Sequence, residues 1–227
     1  MAARPADAAA AVKAPNDTEG GARPSPGGDR RFPRTAAWIV LPLGLLYALL
    51  AARLPDDGPA AFLAILPGLL AAGALRAAGF RRRDLHLRPA PLSRTGLGLL
   101  AASLVFLPVI LITGRWTGWR WPAALVYAPA SGISQELYFR AALLPLLTAL
   151  LGGRRNAALL VHALLFAAWH LPAALPGAPP AGVAGIVAVT FACGLLWGTQ
   201  VQRDGTVFWL MAYHSLLLAV ASLFTWA

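Results

Sequence analysis

Seven long apolar segments, near residues 35–52, 59–78, 95–114, 122–150, 157–175, 181–200 and 207–226, leave this chain few folds to choose from. A helix that crosses the hydrocarbon core of a bilayer needs about 20 mostly apolar residues, and these segments approach or exceed that length. Inside lipid every backbone N–H and C=O must be satisfied within the protein, which helices achieve segment by segment. Composition agrees, with 58% hydrophobic residues, 12% charged and a mean hydropathy of +0.63. A soluble domain carries about twice that charged fraction. The expected fold class is therefore all-α, a polytopic transmembrane helical bundle of about seven spans. The fourth segment is too long for one simple span and contains Pro129, Gly132 and Pro145. It is expected to be kinked or broken, or divided into two short pieces that would make an eighth span.

Residues 1–34 differ, being rich in Ala, Pro, Gly and scattered charge, with Pro24-Ser25-Pro26-Gly27-Gly28 at their centre. They are too poor in apolar residues to bury a core and read as a disordered cytoplasmic tail, with the membrane domain at 35–227. No apolar run precedes residue 35, so the first span is expected to act as its own uncleaved signal. Arg and Lys set the orientation. With the N-terminus inside, the cytoplasmic segments collect fifteen of them, among them Arg76, Arg81, Arg82, Arg83, Arg88, Arg94, Arg154, Arg155 and Arg203, against Arg53, Arg115 and Arg120 outside. A bias to Ala and Arg fits a GC-rich bacterial genome, which places the chain in the inner (plasma) membrane of a bacterium. The net charge of +10 is spread over loops between apolar runs, so the lipid bilayer rather than nucleic acid is its expected partner. The single cysteine, Cys193, rules out an intramolecular disulfide or a cysteine metal cluster and reads as a packing residue.

Against this apolar background a few ionisable residues stand out, because a charge near the bilayer centre costs about 2.5 kcal/mol or more. Glu136 and Arg140 are four residues apart, on one helical face, and able to pair. Read structurally, the pair fastens one helix to its neighbours; read chemically, Glu136 is a general base whose proton affinity is set by burial against a nearby cation. Arg140 suits orienting a carboxylate or a carbonyl better than moving a proton. His162, Phe166 and His170 recur every four residues along one stripe of the fifth helix. His162 reads as a packing group whose replacement by Ala is tolerated. His170 precedes Leu171-Pro172, where the helix must end or bend, and His214 lies between Tyr213 and Ser215 in an otherwise apolar helix. At 1.5 Å per residue Glu136 and His170 fall at similar depths, so with His214 they can face one cavity. One carboxylate and two imidazoles can activate water for attack on a carbonyl, directly or through a metal held by Glu136, His170 and His214. Zinc would suit such a set. No HExxH helix and no GxSxG elbow occurs. Gly194 and Gly198 form a small-xxx-small pair, the mark of a close helix contact.

These residues, in this order, resemble the CPBP family of intramembrane proteases, which includes CAAX proteases and bacteriocin-processing enzymes and is also called Abi. Its motifs are EExxxR, FxxxH, a stretch of the type FxxGxxxG, and HxxxN. The chain offers Gln135-Glu136-Leu137-Tyr138-Phe139-Arg140, then Phe166 to His170, then Phe191-Ala192-Cys193-Gly194 to Gly198, then His214 to Leu218, all within about 122–218. The resemblance implies a helical membrane core in which glutamate and histidine activate water to cleave a peptide bond of a membrane-associated peptide or protein. It also implies a chemistry described both as metal-dependent and as glutamate-type.

Two positions depart from the pattern. Gln135 replaces the first acid, which the family pattern makes the water-activating base, and Leu218 replaces the Asn that would steady an oxyanion. An amide takes no proton from water at neutral pH, and Leu offers no hydrogen bond. Three readings follow: Glu136 acts as the base; Gln135 polarises the substrate while His170 and His214 hold water or metal; or the fold is retained for binding, as in bacteriocin immunity or regulation. A proton relay or transporter is a further class, but no repeat halves are visible.

Overall fold

The computed structural model describes residues 31–53, 59–108, 115–116, 118, 120–175 and 179–225; most of the expected tail, at 1–30, lies outside them. Helix α1 (Arg31–Ala51) begins four residues before the expected boundary, with Pro33 in its first turn, where a missing N–H breaks no bond. A 3-10 segment (Pro59–Ile65) runs into α2 (Leu66–Ala77), and α3 is Arg94–Ser103, capped by Ser93, whose Oγ accepts from Gly96 N at 2.9 Å. Then come α4 (Ala128–Glu136), α5 (Leu144–Leu150), α6 (Arg155–Trp169), the single turn α7 (Leu171–Ala174), α8 (Pro180–Asp204) and α9 (Phe208–Ala221). A two-residue pair, β1 (Arg115–Trp116) with β2 (Phe224–Thr225), is antiparallel, Trp116 opposite Phe224.

Among the described residues, four helical stretches are long and apolar enough to cross a membrane: Pro33–Ala51, Ala60–Ala77, Arg155–Ala174 and Pro180–Asp204. The expected seventh segment forms a shorter apolar helix, Phe208–Ala221. The expected third is helical from Arg94, and its far end, 109–114, lies outside the described residues. Leu, Trp and Phe side chains such as Trp38, Leu45, Phe62 and Leu70 point outward. That is the reverse of a soluble surface and suits contact with lipid tails.

The fourth segment is helical without interruption from 121 to 150. It accommodates its prolines by widening: a π turn at Ala123–Tyr127 precedes Pro129, and another at Leu137–Leu143 precedes Pro145. A proline lacks the N–H that would bond the carbonyl four residues back, and its ring crowds that carbonyl. Those carbonyls belong to Leu125 and Ala141, and each lies inside a π turn. The chain absorbs the conflict by winding more loosely there instead of breaking.

Helices pack by close approach. A Cβ on Gly194 would come within 2.9 Å of Ala163 Cα, so α8 lies against α6 at backbone distance, as the Gly194/Gly198 spacing predicts. Cys193 is buried beside it as a packing residue. Between α2 and α3, residues 80–93 fold onto the turn joining α8 to α9. Val207 N donates to His86 O at 3.1 Å, Leu87 bridges Thr206, and Ser93 Oγ donates to Asp204 Oδ1 at 2.6 Å. Gly205 makes that turn in the left-handed conformation, at φ 70°. Gln202 Nε2 reaches Arg155 O at 3.3 Å, so the arginine-rich helix ends at Arg76, Arg94, Arg155 and Arg203 gather at one end of the bundle.

His86 holds a left-handed conformation itself, at φ 55°. Burial, with the Arg155 guanidinium adding to it and Asp84 opposing, pushes His86 down to about 4. A histidine in the unfolded chain titrates near 6.5, so protonation favours opening; loop stability is complete above that pH and falls as pH drops toward 4. Hydrogen exchange of amides 81–87 is expected to show more frequent opening at the acid end of this window. The variant His86→Asn, which tolerates the same φ, should lose the pH dependence. A wild-type loop equally protected across the window contradicts the assignment.

Candidate active site

Glu136 closes α4 and is fully buried, and two groups converge on one of its oxygens. Arg140 Nη1 donates to Oε1 at 3.1 Å, the pairing that the four-residue spacing predicts. His214 Nδ1 lies 2.6 Å from the same Oε1. A carboxylate only accepts, so this nitrogen carries the hydrogen and the imidazole presents Nε2 as a lone pair. A carboxylate that fixes the tautomer and tilt of a histidine is the arrangement by which imidazole becomes a general base.

Arg140 is fully buried in a box of rings, its guanidinium carbon 4.1 Å from the Phe166 centroid, 5.2 Å from Trp197 and 5.9 Å from Phe139. Ring faces attract a desolvated cation and offset part of its burial cost. Trp197 also lies 4.8 Å from the His214 ring. It is held there by Ser103, whose Oγ accepts Trp197 Nε1 at 3.1 Å and bonds Tyr213 Oη at 2.7 Å. That knot joins α3, α8 and α9 one residue from His214.

His170 lies at the junction of α6 and α7, where Pro172 was expected to end the helix. Its Nδ1 is 2.8 Å from Phe166 O, an acceptor, so here too Nε2 carries the lone pair. Phe166 meets His170 edge-on at 4.9 Å and Trp197 at 6.2 Å, and Trp197 meets His214, so aromatic rings link the two histidines. His162 shares the stripe, its ring parallel to that of Phe166. It is fully buried, and among the described residues neither ring nitrogen has a hydrogen-bond partner.

Gln135 is buried beside Glu136, its Nε2 donating to Ser131 Oγ at 3.1 Å while Oε1 has no partner. Unpartnered buried polar atoms gather in this region: Gln135 Oε1, Glu136 Oε2, Arg140 Nε and Nη2, Tyr47 Oη, Trp169 Nε1 and Ser215 Oγ. Buried polar groups are ordinarily satisfied, so such a concentration marks a place for water or a substrate backbone. Tyr47 and Trp169 are additions the sequence reading missed. Tyr47 comes from α1, and its ring packs 4.9 Å from Trp169, the neighbour of His170. The available signals were a lone tyrosine in an aliphatic span and a tryptophan adjoining a histidine, neither of which points to the other in sequence.

Leu218, one turn beyond His214, brings no hydrogen-bonding group. As to a metal, among the described residues no group of three or more His, Cys, Asp or Glu side chains converges at ligand spacing. Glu136 and His214 meet through Oε1, which Arg140 shares.

Residues 116–220 match the family model described as type II CAAX prenyl endopeptidase Rce1-like. No curated protein and no solved structure matches the chain.

Proposed function

We propose, from the match of residues 116–220 to the Rce1-like CAAX protease family model, that the chain is an intramembrane endopeptidase of the CPBP type using water activated by Glu136 and His214. The observation that carries this reading is the 2.6 Å contact between Glu136 Oε1 and His214 Nδ1. Glu136 holds the imidazole, and His214 Nε2 takes a proton from water as the oxygen attacks the carbonyl carbon of the scissile peptide. His170 Nε2 accepts the water's second hydrogen and aims the nucleophile. The oxyanion is received by the buried donors Tyr47 Oη and Trp169 Nε1, in place of the amide that Leu218 lacks. His214 then returns its proton to the leaving nitrogen as the C–N bond breaks.

The substrate is a membrane-associated peptide. The enzyme is read as a seven-span protein of the bacterial inner membrane, its arginine-rich end facing the cytoplasm with the N-terminus.

Purified protein in liposomes, given a membrane-associated reporter peptide, is expected to cleave it. His170→Ala and His214→Ala should each abolish that cleavage, and turnover by the double variant at the wild-type rate would sink the assignment. Metal content on the same preparation decides whether zinc or another divalent ion takes part. Tyr47→Phe keeps the ring packing and removes one donor, so kcat should fall by about 10²-fold with KM little changed; an unaltered kcat removes Tyr47 from the mechanism.

A second reading rests on Gln135, whose amide stands at the family's base position and is engaged with Ser131. Under it the chain is a non-catalytic member that binds a peptide or partner. Activity that appears only in Gln135→Glu would favour this reading.

A further inference from the structure

We propose that the loop between α2 and α3 is a binding site for the phosphate of an anionic phospholipid headgroup. Arg81, Arg82, Arg83 and Arg88, with Leu87 and Pro89, line a cavity of about 450 Å³. Among the described residues, no carboxylate lines it. Asp84, the one acid in residues 80–93, is turned to other work: its Oδ2 accepts Arg81 N at 2.8 Å, and Oδ1 faces Arg83 Nε at 3.6 Å. Four arginines line an open space, and the one local acid is engaged with Arg81 N and the Arg83 guanidinium, which makes a site for a compact anion with several acceptor oxygens.

The cavity is built rather than draped. Leu87 N donates to Arg82 O at 2.8 Å and His86 N to Arg83 O at 3.2 Å, which winds the arginines into a tight turn. Leu85 is fully buried and anchors the turn from below. The bonds from Val207 to His86 and from Ser93 to Asp204 fasten both halves of the loop to the bundle. Charges that repel one another are thus held together by the fold, so they lose less freedom on meeting an anion than on a free chain.

Position selects the lipid over a free phosphate. The loop joins the ends of α2 and α3, at the level where membrane helices leave the hydrocarbon. Trp209, about half exposed, donates its Nε1 to Ala90 O at 2.8 Å, and exposed Phe208 adjoins it. Tryptophan at this level is the usual marker of the headgroup layer. Leu87 and Pro89 give the cavity an apolar wall beside its cationic one, matching the point where a headgroup meets its acyl chains. Juxtamembrane arginines gain from anionic lipid in this layer.

The test uses the full chain in a neutral detergent, with thermal unfolding read at rising concentrations of short-chain phosphatidylglycerol, short-chain phosphatidylcholine and inorganic phosphate. Phosphatidylglycerol is expected to raise the unfolding temperature saturably and phosphatidylcholine to leave it unchanged. The double variant Arg82→Gln/Arg88→Gln should weaken that response by about tenfold, while Arg53→Gln, which removes one exposed charge outside the loop, leaves it intact. Equal protection by inorganic phosphate would make this a free-anion site and overturn the lipid. An equal response in the double variant, or none in the wild type, would overturn the site itself. The readout is binding, so it stands apart from whether the protein cuts peptides.

Discussion

Replacing Glu136 with Gln is expected to lower peptide cleavage by about 10³-fold, within the range that general acid–base groups contribute. The substitution keeps the volume of the side chain but removes the charge that holds His214 Nδ1–H and Arg140 Nη1 on one oxygen. Without it His214 loses the partner that fixes its tautomer, and the water loses its base. The same change leaves the Arg140 cation, fully buried, with ring faces alone around it. Stripping one partner from a buried ion pair costs about 3–5 kcal/mol, reduced here by the aromatic box, so the variant should also unfold at lower temperature. Two readouts separate the effects: rate of reporter cleavage in liposomes at a temperature where both proteins are folded, and thermal unfolding in detergent. Wild-type kinetics in a folded Glu136→Gln protein would remove Glu136 from the chemistry altogether. Loss of fold with no measurable rate is resolved by the companion change Arg140→Met, made together with Glu136→Gln so that neither charge is left alone. That double variant should fold and remain inactive.

Gly132→Val is expected to lower activity by about 10²-fold by a different route. A Cβ at Gly132 would lie 2.8 Å from Ser215 N and 2.9 Å from Ser215 Cα, backbone atoms that cannot turn aside. Gly132 is thus the point where α4 touches α9, one turn from Glu136 and beside His214. Any side chain there pries the two helices apart and stretches the 2.6 Å contact between acid and imidazole. Misplacement of a catalytic group by about 1 Å costs roughly 10² in rate, and overpacking costs about 1–3 kcal/mol. Gly132→Ala should show a smaller version of the same loss, and Gly73→Ala, at a glycine with open space around it, should show none. A fully active Gly132→Val would mean that the α4–α9 contact does not set the geometry of the site.

Much of this architecture could be read from residues alone, for reasons that differ by element. Apolar runs mark helices because lipid removes every alternative for the backbone, and the spacing of Glu136 and Arg140 puts them on one face, where they can pair. The stripe of His162, Phe166 and His170 survives intact because α6 is a regular helix. Gly132 was legible only as a residue that weakens a helix, although its role is to admit a neighbour, and a neighbour cannot be seen in a linear string. Tyr47 and Trp169 meet across more than a hundred residues. Their pairing depends on how α1 leans on the bundle, which no local pattern encodes. The prolines at 129 and 145 were legible as disturbances, but the helix's response, to loosen and continue, depends on packing around it.

That response has a consequence for anyone who draws residues 121–150 on a helical wheel. A wheel advances by a constant angle, whereas each π turn adds a residue without adding a full turn, so the drawing slips out of phase twice. Upstream of Leu137 the wheel places Glu136 on the side facing α9; downstream of Leu143 the same lettering would assign α5 the wrong lipid-facing edge. The second of these turns, the one before Pro145, thereby sets the angular offset between the acid that meets His214 and the segment Leu144–Leu150 that meets α6 and α1. One continuous rod serves two sets of neighbours that a uniform helix of the same sequence could not face at once.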